Sequence, residues 1–235
     1  MKKISFISLV AFLLLVPGIF AQNNSVNVGI VGEKFSDFTL QTYQGEKFST
    51  GDLKGKNILL ISSRGRYNDQ YWCGICSYQY IDFVNLDMSE KIREKYNLEI
   101  AFLMPYDKET LDEWEKSIPG ALQYIEGVKN PEDTNALSED RKNWMNFARK
   151  HFAKKYEYPE GKIPLTIPVL IDENQEVSKG LDIFRTEWDG TNIMQNVPTV
   201  YIIDKEGILR FKYVSQNTAD RPDSRYILKI LESIQ

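Results

Sequence analysis

Two nearly uninterrupted apolar runs limit most strongly what this chain can fold into. Asn57-Ile58-Leu59-Leu60-Ile61-Ser62 sets large aliphatic side chains in consecutive positions, and Leu98 to Met104 does much the same. Successive side chains of a strand point to opposite faces, so such runs need cover on both sides. That is the condition of a strand in the middle of an α/β sheet. Between the runs, Cys73 to Tyr96 reads as a helix, with Ile81, Val84, Met88 and Ile92 on one inward face at spacings of three and four. Pro168 to Asp172 and Thr199 to Ile203 read as short strands. Asp204-Lys205-Glu206-Gly207 is a hairpin turn with Ile208 to Val214 returning, and Asp223 to Ile234 is a final helix. The expected fold class is α/β, a central mixed sheet flanked by helices.

Two additions surround this frame. Phe35, Phe38, Leu40, the Gln44-Gly45 turn and Phe48 read as an N-terminal β-hairpin extension. Residues from about 118 to 165 are more polar and less patterned, and read as a largely helical insertion with Ser138 to Lys155 as its main helix. Lys108 to Lys116 is a helix just before it. Trp114, Trp144, Phe147, Phe152, Tyr156 and Tyr158 read first as packing, since aromatics dominate cores, and second as a surface selecting partners.

Residues 1–21 have the form of an address. Lys2-Lys3 precede a short apolar region from Ile4 to Phe20, Ala21 follows, and then polar Gln22-Asn23. This is the pattern of a secretory signal peptide cleaved after Ala21, although Ile19 stands where a small residue is preferred. The alternative is a retained membrane anchor, for which the apolar stretch is short. The expected location is periplasmic or otherwise extracytoplasmic, where disulfides persist. Net charge is −4 over 235 residues and becomes −6 without the leader, so nucleic acid is not an expected partner, and a membrane is one only if the leader is retained. The domain is expected over 28–235.

The chemistry is expected at Trp72-Cys73-Gly74-Ile75-Cys76. These are the only two cysteines of the chain, two residues apart, where a buried strand and a loop lead into a helix. A sulfur at a helix N-terminus faces unpaired N–H groups and the positive end of the helix dipole, which favours thiolate. Cys73 is therefore expected to be the attacking thiolate and Cys76 the resolving sulfur one turn further in. The pair would cycle by thiol–disulfide exchange with no metal and no organic cofactor. Trp72 would flank the exposed sulfur. A static disulfide is one alternative, but so short a loop adds little stability. Half of a metal site is another, with two cysteines and the single histidine, His151, giving three ligands at most. Asn196-Val197-Pro198-Thr199 precedes the late strand, and Pro198 fits either an ordinary strand start or a cis bond packed against the cysteines.

Gly32-Glu33-Lys34-Phe35-Ser36-Asp37-Phe38-Thr39-Leu40, Leu53-Lys54-Gly55-Lys56, Trp72 to Cys76, Val197-Pro198-Thr199 and Ile203-Asp204-Lys205-Glu206-Gly207 occur in this order. In that arrangement the chain resembles the thioredoxin-like superfamily, in its redoxin branch with the alkyl hydroperoxide reductase/thiol-specific antioxidant group. The resemblance implies a thioredoxin-like fold with the Cys-x-x-Cys at the start of the first main helix. It implies Pro198 as the cis-proline, and Val197 and Thr199 beside a bound substrate peptide. The implied partners are protein thiols and disulfides, with a thioredoxin-type electron donor. A peroxiredoxin-like antioxidant reducing peroxides through Cys73 is the second reading, and a non-catalytic partner-binding module the third. Counting back from Cys73, Arg66 and Gln70 stand where a peroxiredoxin would have Pro and Thr, which favours exchange. Arg64, Arg66 and Arg185 are candidate cations, with Arg64 the candidate thiolate stabiliser.

Overall fold

The computed structural model describes residues 26–159 and 161–234, so the segment read as a leader lies outside the described residues. Nine strands and six α-helices run in the order β1 (Thr39–Thr42), β2 (Lys47–Ser49), β3 (Asn57–Ser62), α1 (Gly74–Glu90), α2 (Ile92–Lys95), β4 (Leu98–Met104), α3 (Lys108–Lys129), α4 (Glu139–His151), β5 (Val169–Ile171), α5 (Glu176–Gly180), β6 (Phe184–Arg185), β7 (Gln195–Asn196), β8 (Thr199–Ile203), β9 (Leu209–Val214) and α6 (Ser224–Ser233), counted among the described residues. Seven strands form one mixed sheet in the order β2-β1-β5-β4-β3-β8-β9. Strand β3 is parallel to β4 and antiparallel to β8, so the two apolar runs lie side by side at its centre. The hairpin β1–β2 is the edge of this same sheet, joined to it through antiparallel pairing of β1 with β5.

Strand alternation divides the interior in two. Leu59, Ile61, Ile100, Phe102, Val200 and Ile202 face the side covered by α1, α3 and α6. Ile58, Leu60, Ala101, Leu103, Tyr201 and Ile203 face the opposite side, where Phe35, Phe38, Val177 and Leu181 cover them. Both faces are thus apolar, as the uninterrupted runs required.

Helix α1 is buried nearly all round, through Ile75, Tyr78, Tyr80, Ile81, Phe83, Val84 and Leu86. One side meets the sheet. On the other, the Tyr78 ring packs 5.0 Å from Phe152 and 5.3 Å from Tyr156, and the Tyr80 ring lies 5.2 Å from Trp114. The aromatic residues of the polar region are therefore a second layer over α1, in keeping with the packing reading. The helix ends at Lys91, whose left-handed φ of 50° turns the chain before α2 begins. Met88, in the last turn of α1, is 61% exposed, against the expectation that it points inward, while Ile92 is buried.

The expected boundary near residue 118 falls inside α3, a single helix of 22 residues that runs through Pro119. Proline within a helix costs about 3 kcal/mol. Leu111, Trp114, Ile118, Leu122 and Ile125 form a buried stripe at helical spacing, and each contributes about 1.5–3 kcal/mol by burial. The stripe outweighs the proline.

Candidate active site

The chain between β3 and α1 forms a closed loop. Arg66 and Trp72 form an antiparallel bridge, and the Tyr67 amide donates to the Tyr71 carbonyl at 2.7 Å. Gly65 turns with φ +87° and offers its carbonyl to the Cys73 amide at 2.9 Å. The Tyr106 hydroxyl fixes the loop from behind, accepting from the Arg66 amide at 2.9 Å and donating to the Met194 carbonyl at 2.7 Å. Trp72 is buried edge-on to Tyr106 with centroids 5.3 Å apart, and the Arg66 guanidinium covers its ring at 4.8 Å.

This loop delivers Cys73 as the N-cap of α1, where its sulfur accepts the Cys76 amide at 3.4 Å. The two thiols are free and their sulfurs stand 2.9 Å apart. Both residues are buried. The expected helix-end placement of Cys73 is therefore present, but the expected electrostatic order is reversed. Cys73 is pushed well above its ordinary range, first by the hydrogen bond it shares with Cys76 and then by burial. Burial also opposes ionisation of Cys76, but the bond from Cys73, the Arg221 charge and a backbone bond from Arg64 bring it down to about 5. The pair thus favours holding one proton and one negative charge between its two sulfurs, with Cys76 the one drawn down.

The cation beside the sulfurs is Arg221, whose Nη2 lies 3.9 Å from the Cys76 sulfur. It stands 145 positions away in the chain, and no local pattern marks it. Arg64 has a different place from the one expected. Its side chain is wholly buried, with Nε donating to Gln195 Oε1 at 2.8 Å, Nη2 to Thr191 Oγ1 at 2.6 Å and Nη1 to Thr218 Oγ1. Tyr67 and Trp188 cover its guanidinium at 4.8 and 5.2 Å. Arg64 therefore clamps the loops around the cysteines, and its backbone rather than its charge meets Cys76. Arg66 pairs with Glu113 and Arg185 with Asp182.

Pro198 corrects a second expectation. Among the described residues every peptide bond is trans, including Val197–Pro198. This is the isomer that an X–Pro bond ordinarily prefers, by about 0.5–1 kcal/mol. The Val197 amide is engaged by the Ile183 carbonyl at 2.7 Å, and its carbonyl accepts from the Thr199 hydroxyl at 3.0 Å. The backbone expected to pair with a substrate peptide is thus bonded to the chain's own residues. Thr199 is buried. His151 stacks on Phe147 at 4.3 Å between ring centroids.

The family model described as Redoxin matches residues 30–228. The chain belongs to the redoxin family. This redoxin is 25% identical over 187 residues to the thioredoxin-like protein YneN of Bacillus subtilis (strain 168), across 80% of this chain and 73% of that protein. Solved structures of similar fold include a mutant of peroxiredoxin 6 from Arenicola marina, at TM-score 0.55 and 18% identity over 88% of this chain and 73% of that one. The mitochondrial 2-Cys peroxiredoxin of Plasmodium falciparum matches at TM-score 0.53 and 17% identity, over 87% and 94% of the two chains. The reduced 2-Cys peroxiredoxin of Plasmodium vivax matches at TM-score 0.53 and 18% identity, over 87% and 96%. At such identities the structural likeness establishes the fold, and family membership gives the redoxin a redox function.

Proposed function

We propose that this redoxin is a thiol–disulfide oxidoreductase whose working couple is Cys73 and Cys76. The observation that carries the reading is the free sulfur pair, 2.9 Å apart, with Cys73 capping α1. Closing a disulfide there requires a shift of under about 1 Å. The shared proton moves to Cys76 as Cys73 attacks a disulfide sulfur, and one substrate thiolate leaves. Cys76 then gives up that proton, attacks the Cys73 sulfur and releases the second substrate thiolate, so the substrate is reduced and the pair oxidised. A thioredoxin-type dithiol would restore the reduced form.

Exchange is favoured over peroxide reduction by the neighbours of Cys73. Gln70, at the position of the peroxiredoxin Thr, has no hydroxyl to offer and is exposed in the loop, and Arg66 is engaged by Trp72 and Glu113. The likeness to the thioredoxin-like protein YneN supports the same reading. We further propose export of the redoxin, on the strength of the leader pattern in residues 1–21. Cys73→Ala is expected to abolish reduction of a protein disulfide, and Cys76→Ala to accumulate mixed disulfides. Equal residual turnover in both variants would overturn the assigned roles.

A further inference from the structure

We propose that Arg221 supplies the positive charge that keeps Cys76 reactive while Cys73 is tied up in a mixed disulfide. The inference rests on the exchange reading above and adds a residue to it. The guanidinium is fixed in place before any reaction. Nη1 donates to Ser215 Oγ at 3.0 Å, to the Asn217 carbonyl at 3.2 Å and to the Asp220 carbonyl at 3.1 Å. Nη2 is left to face the Cys76 sulfur at 3.9 Å, and Nε is buried without a partner among the described residues. Among those residues no carboxylate lies within ion-pair distance of Arg221, although fifteen such pairs occur elsewhere. The carboxylate of Asp220, its neighbour, is taken by the Tyr213 hydroxyl and the Gln216 amide. A guanidinium anchored through Nη1, with Nη2 facing a sulfur, is prepared for an anion there.

The need for it is greatest at one step. In the free dithiol the Cys73 thiol proton stabilises the Cys76 thiolate. Once Cys73 is bonded to substrate that proton has passed to Cys76, which must release it to water before attacking, and Arg221 is the charge left to stabilise the resulting thiolate. The thiolate then attacks the Cys73 sulfur. The Cys73–Cys76 bond forms, the Cys73–substrate bond breaks, and the electron pair leaves with the substrate sulfur, which takes a proton from water. The other groups bearing on Cys76 are Cys73 on α1, the Arg64 backbone after β3 and the Tyr106 hydroxyl after β4. Burial pushes Tyr106 up to about 12, so it stays neutral through the assay range. Arg64 contributes at one remove, since its bond to Thr218 holds the segment that carries Arg221.

The test uses the full reduced protein and an aromatic disulfide with a coloured leaving thiolate. The first thiolate reports the mixed disulfide, and the second reports resolution by Cys76. In Arg221→Gln the second phase is expected to slow about tenfold near pH 6, and the first no more than about threefold. Arg221→Lys is expected to recover the second phase to within about threefold, and all differences should shrink towards about pH 9. A second phase unchanged in Arg221→Gln, or slowed equally in Arg221→Lys, overturns the proposal. Should Arg221→Gln not fold, the wild-type profile decides: the second-phase rate must level off below about pH 7, and a rate still rising to about pH 9 overturns it. Failure of the exchange reading looks different, because Cys73→Ala would then still release the first thiolate at the wild-type rate, through Cys76.

Discussion

Titrating the reduced and the disulfide forms side by side isolates the energetics of the cysteine pair. In the unfolded reduced chain both thiols titrate near 9.0, whereas in the folded chain Cys76 titrates at about 5 and Cys73 well above 9.0. Below pH 5 both states hold both protons and the pair contributes nothing. Between about 5 and 9 the unfolded chain holds one proton more than the folded one, so stability rises with pH. The slope is about 1.4 kcal/mol per pH unit, which gives about 3 kcal/mol over two units. The contribution is complete above the unfolded value and is lost as pH falls through the folded one. Above about pH 9 the unfolded chain sheds both protons while folded Cys73 keeps its own, and the slope reverses. The disulfide form has no thiol to titrate, so every other group cancels in the difference. Urea unfolding at three pH values from about 5.5 to about 7.5, with and without a strong reductant, reads the difference directly. A reduced-minus-oxidised stability that is flat, or that falls with pH, would refute a thiolate in the folded pair at neutral pH.

Three other outcomes follow from the packing. Gly65→Ala should lose about 2–4 kcal/mol, because a Cβ at φ +87° runs into the Tyr106 ring; a loss under about 0.5 kcal/mol in urea unfolding would count against the Tyr106 support. Arg64→Met should lose about 3 kcal/mol, since Gln195 and Thr191 are left without the buried guanidinium; a loss below about 1 kcal/mol would class Arg64 with surface arginines. Tyr156→Phe should lose about 1–2 kcal/mol, because its hydroxyl donates to Asp82 at 2.5 Å and so ties the second layer to α1; no change in the unfolding midpoint would show that bond to be idle.

The central strands were legible because burial on both faces leaves no other pattern: Asn57–Ser62 and Leu98–Met104 form strands over the same residues that the apolar runs cover. Helix α3 was half legible. Pro119-Gly120 looks like a stop, and only the sheet and α1 beside it make the stripe from Leu111 to Ile125 worth more than the break. The ladder of β6 with β7 was not legible, since two-residue strands carry no periodicity. Within the site, the spacing of Cys73 and Cys76 announced the couple and its place at a helix end. Which sulfur holds the charge was not announced, because that depends on Arg221, brought in from beyond β9 by tertiary contacts alone. Arg64 was singled out because Arg64-Gly65 before the cysteines resembles the Arg-Gly of some redoxins, yet its buried charge is turned towards Thr191, Gln195 and Thr218 instead.

The most direct test of exchange by the Cys73–Cys76 couple is a parallel oxidation of the reduced protein. Its intrinsic fluorescence, with Trp72 next to Cys73, is followed after mixing with a protein disulfide in one experiment and with hydrogen peroxide in the other. The account predicts rapid oxidation by the disulfide, lost in Cys73→Ala, and reaction with peroxide no faster than that of an ordinary thiolate. Peroxide oxidation far faster than that, with a sluggish response to the disulfide, would contradict it.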